Sequence, residues 1–501
     1  MAVDRARVVP GMTQPNVVLI CVDEWRGDAL SCAGHPYVET PHLDELARGG
    51  VRFSRGYSAT PTCVPARVAL FTGQSQERHG RVGYTDGVPF DAAHPVTIQG
   101  EFRRAGYHTQ AIGKMHVWPE RARLGFDDVV LHDGFLHHSR REYRQQFGFF
   151  DDYVPWLRRQ PGVSPDAEYF DHGVNCNSVV ARPWDKAESL HPTSWIGTST
   201  IDWLYRRDPT KPFFLYLSFH RPHPPYDPPA WAFDRYDALP PYERSLGDWE
   251  SDWDEFRRDG DYQASIGDLP DRVVHRARAG YYGLMAQIDL QVNRIREALV
   301  DFGVYDDTII AFTSDHGEMM GDHRMFRKSV PYEGSAHVPF IVADRASAAD
   351  ATRGGVVDQV VELRDVMPTL LELAGVPIPS SVDGCSLAPF LRGSSVPVRE
   401  WLHGEHLHFG QSIQWVTDGR VKYVWGSGRG VEQLFDLVED PEELRNLVAS
   451  HPELRALWRD RLIESLTGRE EGFVADGNLV TGRPVTAILE HTRERIATAA
   501  R

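Results

Sequence analysis

At 501 residues the chain exceeds the roughly 250–300 at which one hydrophobic core stops growing, so a large domain plus a smaller one is expected. Hydrophobic residues make up 41% and charged residues 25%, a balance that excludes a disordered chain. The net charge of −17 argues against nonspecific nucleic-acid binding, which needs Lys and Arg to neutralise phosphates; a local basic pocket for a small anion remains open.

Met1–Pro15 carries no apolar leader and runs into the first strand, Val17–Val22, which ends at Asp23-Glu24. Thr40-Pro41 supplies a cap and first residue for a helix through Ala47, stopped by Gly49-Gly50. Thr109–Ile112, Phe213–Phe219, Thr308–Thr313 and Val338–Val342 read as further buried strands, and Tyr281–Leu299 and Asp365–Ala374 as helices. Strands alternating with helices predict an α/β fold, with a large, mostly parallel central sheet flanked by helices. Trp118–Pro209 and Pro222–Pro270 have weak periodicity and read as loops and short helices around a pocket, with the acidic stretch Asp248–Asp261 exposed. Ser412–Thr417, Val421–Trp425 and Gln433–Leu437 predict a short antiparallel sheet, followed by a helix over Glu453–Leu466. The chain therefore divides into a catalytic α/β domain, 1–385, and a smaller C-terminal α+β domain, 386–501.

Five cysteines at irregular spacing, with no C-x-x-C pair, form neither a disulfide framework nor a cysteine zinc site. Reduced, mostly buried thiols in a cytoplasmic protein are expected. The longest apolar runs are far too short to span a membrane.

Functional groups of open α/β sheets gather beyond the carboxyl ends of strands. Here the strands run into Asp23-Glu24, into Lys114 and His116, into His220 and His223, and into Ser314-Asp315-His316. An acid after a strand can equally cap a helix, and a lone histidine or lysine is more often packed or solvated than functional. Two acids from one strand end and Asp-His from another nevertheless make a donor set for a divalent cation. Prolines in His220-Arg221-Pro222-His223-Pro224-Pro225 fix the backbone that presents both rings.

Cys63 is the sharpest signal. It lies in Pro61-Thr62-Cys63-Val64-Pro65-Ala66-Arg67, with Pro65 suited to the first turn of a helix and Arg67 one turn on. A helix N-terminus there favours negative charge. The plainer alternative is a small buried thiol. The C-x3-R spacing lacks the two extra residues of the phosphate loop in cysteine-dependent phosphatases.

Cys63-Val64-Pro65-Ala66-Arg67 followed by Thr72-Gly73 resembles the signature of the sulfatase family, within the alkaline-phosphatase superfamily, whose cysteine is oxidised to formylglycine. The resemblance extends through Gly113-Lys114-Met115-His116, the His-x-Pro-His loop, Ser314-Asp315-His316-Gly317 and Lys328. It closes with Val382-Asp383-Gly384-Cys385-Ser386-Leu387 and Leu434-Phe435-Asp436-Leu437 with Asp440-Pro441. It implies one divalent metal on Asp23, Glu24, Asp315, His316 and residue 63, with Ca2+ expected first and Mn2+ or Zn2+ as alternatives. The formylglycine hydrate would attack sulfur, Arg67 and Lys114 would hold the diol and sulfate charge, and His116 would act as base. His223 and Lys328 would bind sulfate and protonate the leaving oxygen.

The implied partners are a small sulfated substrate, such as an aryl or sugar sulfate, and a formylglycine-generating enzyme for maturation. A homo-oligomer is allowed, and neither nucleic acid nor a membrane is expected. Three residues depart from the common family pattern: Glu24 for a second Asp, Gln74 for the Arg after Thr-Gly, and His316 for Asn. The alternative is a phosphonate monoester hydrolase or phosphodiesterase of the same superfamily; Lys114 and His116, which that group tends to replace with uncharged residues, favour sulfate.

Overall fold

A computed structural model describes residues 14–134, 150–168, 171–345 and 352–499. The reading of Met1–Pro15 as free of an apolar leader falls, up to residue 13, outside the described residues.

Eight strands build the central sheet: β1 (Asn16–Asp23), β2 (Val51–Tyr57), β3 (His108–Gly113), β4 (Asp128–Leu131), β5 (Phe213–Pro222), β6 (Thr308–Ser314), β7 (Phe340–Asp344) and β8 (Gly355–Glu362). Their order is β4-β3-β5-β1-β6-β7-β2-β8. Only β7 runs against its neighbours, β6 and β2. The helices that matter most are α1 (Pro41–Arg48), α2 (Cys63–Thr72), α3 (Pro192–Arg206), α4 (Asp271–Asp301), α5 (Val366–Leu373) and α6 (Pro452–Leu466).

The alternation of side chains along a strand explains why β1 is apolar at nearly every position. Val17, Leu19 and Cys21 join a core with Val68, Leu70 and Phe71 of α2 and with Met367 and Leu370 of α5. Val18, Ile20 and Val22 face the other way, into a core with Leu284, Ile288 and Val292 of α4. Helices therefore cover both faces, and the strand ends open onto a polar edge.

A four-stranded antiparallel sheet follows: β9 (Leu402–His408), β10 (Gln411–Thr417), β11 (Val421–Gly426) and β12 (Glu432–Asp436), in the order β12-β11-β10-β9. Its inner face, with Ile413, Trp415 and Val424, packs on Tyr57, Met319 and Tyr332 of the larger unit. Its outer face, with Val416, Tyr423 and Trp425, is covered by Trp458, Leu462 and Leu466 of α6.

Three expectations are corrected. The stretch read as loops and short helices contains α3, fifteen residues long, whose Ser, Thr and Gly obscure its periodicity; burial of Trp195, Ile196 and Leu204 outweighs weak propensity. The segment Asp248–Asp261 is not simply exposed, because Trp249 and Trp253 are buried against the C-terminal sheet. Of the five free thiols only Cys21 and Cys63 are buried, so they are not mostly buried. Among the described residues no helix is long and apolar enough to cross a membrane.

Candidate active site

Strands β3, β5, β1 and β6 stand side by side and parallel, so their carboxyl ends share one edge. Gly113 pairs with Ser218, Cys21 with Ser218, and Val22 with Ser314, which sets Lys114, Asp23, Asp315 and the His220–His223 loop around one point. Chain leaving β2 crosses the same edge and enters α2 at Cys63, its first residue.

Ligand atoms of Asp23, Cys63, Asp315 and His316 all lie within 4.8 Å of one another, and all four residues are buried. Cys63 Sγ is 3.2 Å from His316 Nε2 and 3.5 Å from Asp23 Oδ1. His316 Nδ1 faces the Gly317 carbonyl at 2.9 Å, which can only accept, so Nδ1 carries a proton and Nε2 is the nitrogen that a neutral ring offers to the cluster as a lone pair. This is the tautomer a metal-binding imidazole needs.

Cations surround the cluster. Lys114 Nζ bonds Asp23 and stands 3.6 Å from Cys63 Sγ. Lys328 Nζ donates to Glu24 Oε1 at 3.1 Å, and His223 Nε2 lies 3.6 Å from Glu24 Oε2. Glu24 thus stands beside the four-residue group, toward Lys328 and His223. Among the described residues no hydrogen bond joins the Arg67 guanidinium to Cys63. Arg67 Nε and Nη2 hold Asp315 Oδ2, both at 2.9 Å, while Nη1 donates to Tyr216, Ser218 and the Lys114 carbonyl.

Local backbone fixes these positions. Glu24 (φ 73°) and His116 (φ 56°) hold left-handed conformations that cost about 1 kcal/mol or more in an ordinary residue. The Glu24 N–H donates to Asp315 Oδ1, and the next N–H, of Trp25, to Ser314 Oγ. The Met115 and His116 N–H groups both donate to Asp133 Oδ1, at 2.7 and 2.9 Å. Gly113 (φ 103°) is required at the end of β3, because a Cβ there would lie 1.9 Å from the Ser218 carbonyl oxygen.

Burial would raise the Asp23 carboxyl, yet Lys114, then His223, Lys328 and His316, hold it well below the usual range. Burial and Asp23 push the Cys63 thiol up to about 11, so as a cysteine it is neutral and a poor nucleophile near pH 7. Burial and Lys328 push His223 well down. Burial also lifts Glu24 well above the carboxylate range, opposed by Lys328.

The sequence reading did not single out the support behind the histidine loop. Asp227 is buried and accepts from Arg221 Nε (2.8 Å) and Nη2 (2.9 Å), with His172 Nε2 at 3.1 Å. Nothing in the sequence distinguishes this acid from a surface one. Burial works against its carboxylate, but Arg221, His172 and His191 hold its pKa far below the ordinary value. The unfolded chain then binds a proton below about pH 4 that the native state refuses, so this contribution is complete above that pH and lost as pH falls. Asp227→Asn is expected to lower stability by about 3 kcal/mol at pH 7, since it strands the buried Arg221 charge. The gap from wild type should narrow between pH 5 and pH 3; thermal melts across that range check it, and a gap independent of pH counts against the assignment.

Residues 15–376 match the family model described as sulfatase. The chain belongs to the sulfatase family. Residues 321–468 of this sulfatase match a second model, described as N-sulphoglucosamine sulphohydrolase, C-terminal. Its sequence is 46% identical to the arylsulfatase of Clostridium perfringens (strain 13 / Type A), over 96% of this chain and 100% of that protein. It is 30% identical to the multifunctional alkaline phosphatase superfamily protein PehA of Trinickia caryophylli, over 91% of this chain and 96% of the relative. Among solved structures, the phosphonate monoester hydrolase of Agrobacterium radiobacter superposes with a TM-score of 0.73 at 28% identity, covering 94% of this chain and 100% of that one.

Proposed function

We propose that this sulfuric ester hydrolase cleaves an aryl or sugar sulfate where residue 63, as formylglycine, meets a divalent cation. The observation that carries the reading is the convergence of Cys63 with Asp23, Asp315 and His316 at a helix N-terminus, inside a ring of lysine and histidine. The donor set suits a cation: carboxylate oxygens and one imidazole nitrogen freed by its tautomer. Asp23, Glu24, Asp315, His316 and residue 63 would hold it, Ca2+ first because most of the donors are oxygens. When bound, the cation supplies charge withdrawal from the sulfate oxygens.

Conversion of Cys63 to formylglycine supplies a hydrated aldehyde, with one hydroxyl to attack sulfur and a second whose deprotonation expels sulfate. Lys114 pairs with the charge at residue 63, and His116 takes up the proton. Arg67 acts one step back, gripping Asp315 so that the ligand cannot rotate. His223 keeps Nδ1 on the Pro224 carbonyl at 2.9 Å, which leaves Nε2 as the atom that protonates the leaving oxygen, with Lys328 beside the sulfate. An ester's negative charge near Nε2 favours the protonated ring that burial otherwise disfavours.

The test is kinetic comparison of 4-nitrophenyl sulfate with the matched phosphate diester and phenylphosphonate monoester. kcat/KM is expected to be highest on the sulfate. A higher value on either phosphorus ester would move the assignment to the phosphonate hydrolase branch, to which the Agrobacterium radiobacter structure belongs by its name. Removing the metal with a chelator is expected to reduce turnover by about 100-fold or more and to lower the melting temperature, with both restored by Ca2+. Full activity in protein shown metal-free by elemental analysis contradicts the cation's role.

A further inference from the structure

Asp23, His220 and His223 also bring ligand atoms within 4.8 Å of one another, which at first sight offers a second place for a metal. The hydrogen bonding around His220 decides otherwise. Arg221 Nη1 stands 2.8 Å from His220 Nδ1. A guanidinium has donors only and stays charged, so Nδ1 must be the accepting nitrogen. A neutral ring that accepts at Nδ1 carries its proton at Nε2.

Arg221 cannot turn away from this task. Asp227 grips it through two nitrogens, and Arg221 and Asp227 are both buried, as are His172 and His191 behind them. The Gly134 backbone packs closely against the ring, since a Cβ there would lie 2.2 Å from His220 Cδ2 and Nε2. His223, three residues on, is set the opposite way by the Pro224 carbonyl and presents a basic Nε2.

We infer that His220 is a hydrogen-bond donor to the substrate's sulfate, locked as the Nε2–H tautomer by Arg221 and Asp227, and is neither a metal ligand nor an acid–base group. The inference rests on the reading of the site as a sulfate pocket. The two histidines of one loop thereby divide the work: His220 donates to a sulfate oxygen, and His223 exchanges the proton.

The test uses His220→Met, which keeps bulk without a donor, and His220→Gln, whose amide N–H reaches close to the place of Nε2. On 4-nitrophenyl sulfate, the Met variant is expected to lose about 10²–10³-fold in kcat/KM, the effect of removing one oxyanion donor, and the Gln variant to stay within about tenfold of wild type. Both should carry as much metal per chain as wild type. A Met variant within threefold of wild type, a Gln variant as impaired as Met, or loss of metal in either overturns the assignment. Nitrogen-15 NMR of histidine-labelled wild type, with the His220 signal identified by its absence from the Gln variant, reads the tautomer without reference to turnover. A proton on Nδ1 overturns it as well, and a proton on Nε2 upholds the lock even should either variant fold poorly. Absence of sulfatase activity in wild type would instead condemn the reading of the site, so the two failures are distinguishable.

Discussion

Cys63→Ser is expected to reduce steady-state turnover of an aryl sulfate by about 10³-fold or more while leaving the fold intact. Residue 63 is the first residue of α2, and its side chain contacts Asp23, Lys114 and His316. Serine is no larger than cysteine and keeps a polar atom toward the same three partners. The loss is chemical: a serine hydroxyl attacks once, and the sulfate ester it forms has no second hydroxyl to expel the sulfate. One equivalent of alcohol should therefore appear at most, followed by arrest, in protein whose melting temperature matches wild type. Continued turnover within a few-fold of wild type would remove residue 63 from the chemistry.

Asp315→Ala is expected to lose two things together. Asp315 belongs to the proposed cation shell, so turnover should fall by about 10³-fold, the equivalent of the several kcal/mol of charge stabilisation a metal supplies. Asp315 also neutralises Arg67, whose side chain is only 1% exposed and has no other carboxylate among its bonds. Removing that partner leaves a buried charge unpaired, a cost of about 3–5 kcal/mol in stability. Metal analysis and thermal melts separate the effects, and a variant that keeps both its metal and its stability would show that Asp315 is neither ligand nor counter-ion. The paired loss distinguishes Asp315 from Cys63, where activity alone should change.

The buried framework was legible because parallel strands covered on both faces must be apolar throughout, as β1, β5 and β6 are. In the central sheet β2, β4 and β8 escaped detection: β2 carries half-buried Arg52, Ser54 and Arg55 among its buried positions, β4 has four residues, and β8 alternates exposed and half-buried positions along its first half. The site was legible at each strand end for the same reason, since a polar residue directly after an apolar strand has few places to go but the common edge. The partner of each polar group was not legible. Arg67 lies one helical turn from Cys63 in sequence, and spacing alone suggests that it holds residue 63; the structure turns its guanidinium onto Asp315, some 248 positions away. The Arg221–Asp227 pair and Asp133 behind His116 are equally silent in the sequence, because an acid in a loop looks the same whether it is solvated or clamps a catalytic segment.

The most direct measurement is the mass of the tryptic peptide Gly56–Arg67 from active protein, which contains residue 63. Oxidation of the thiol to an aldehyde makes this peptide about 18 Da lighter than its cysteine form. The lighter peptide is expected, in a proportion that tracks specific activity between preparations. Fully active protein in which every copy of the peptide retains cysteine would contradict the account.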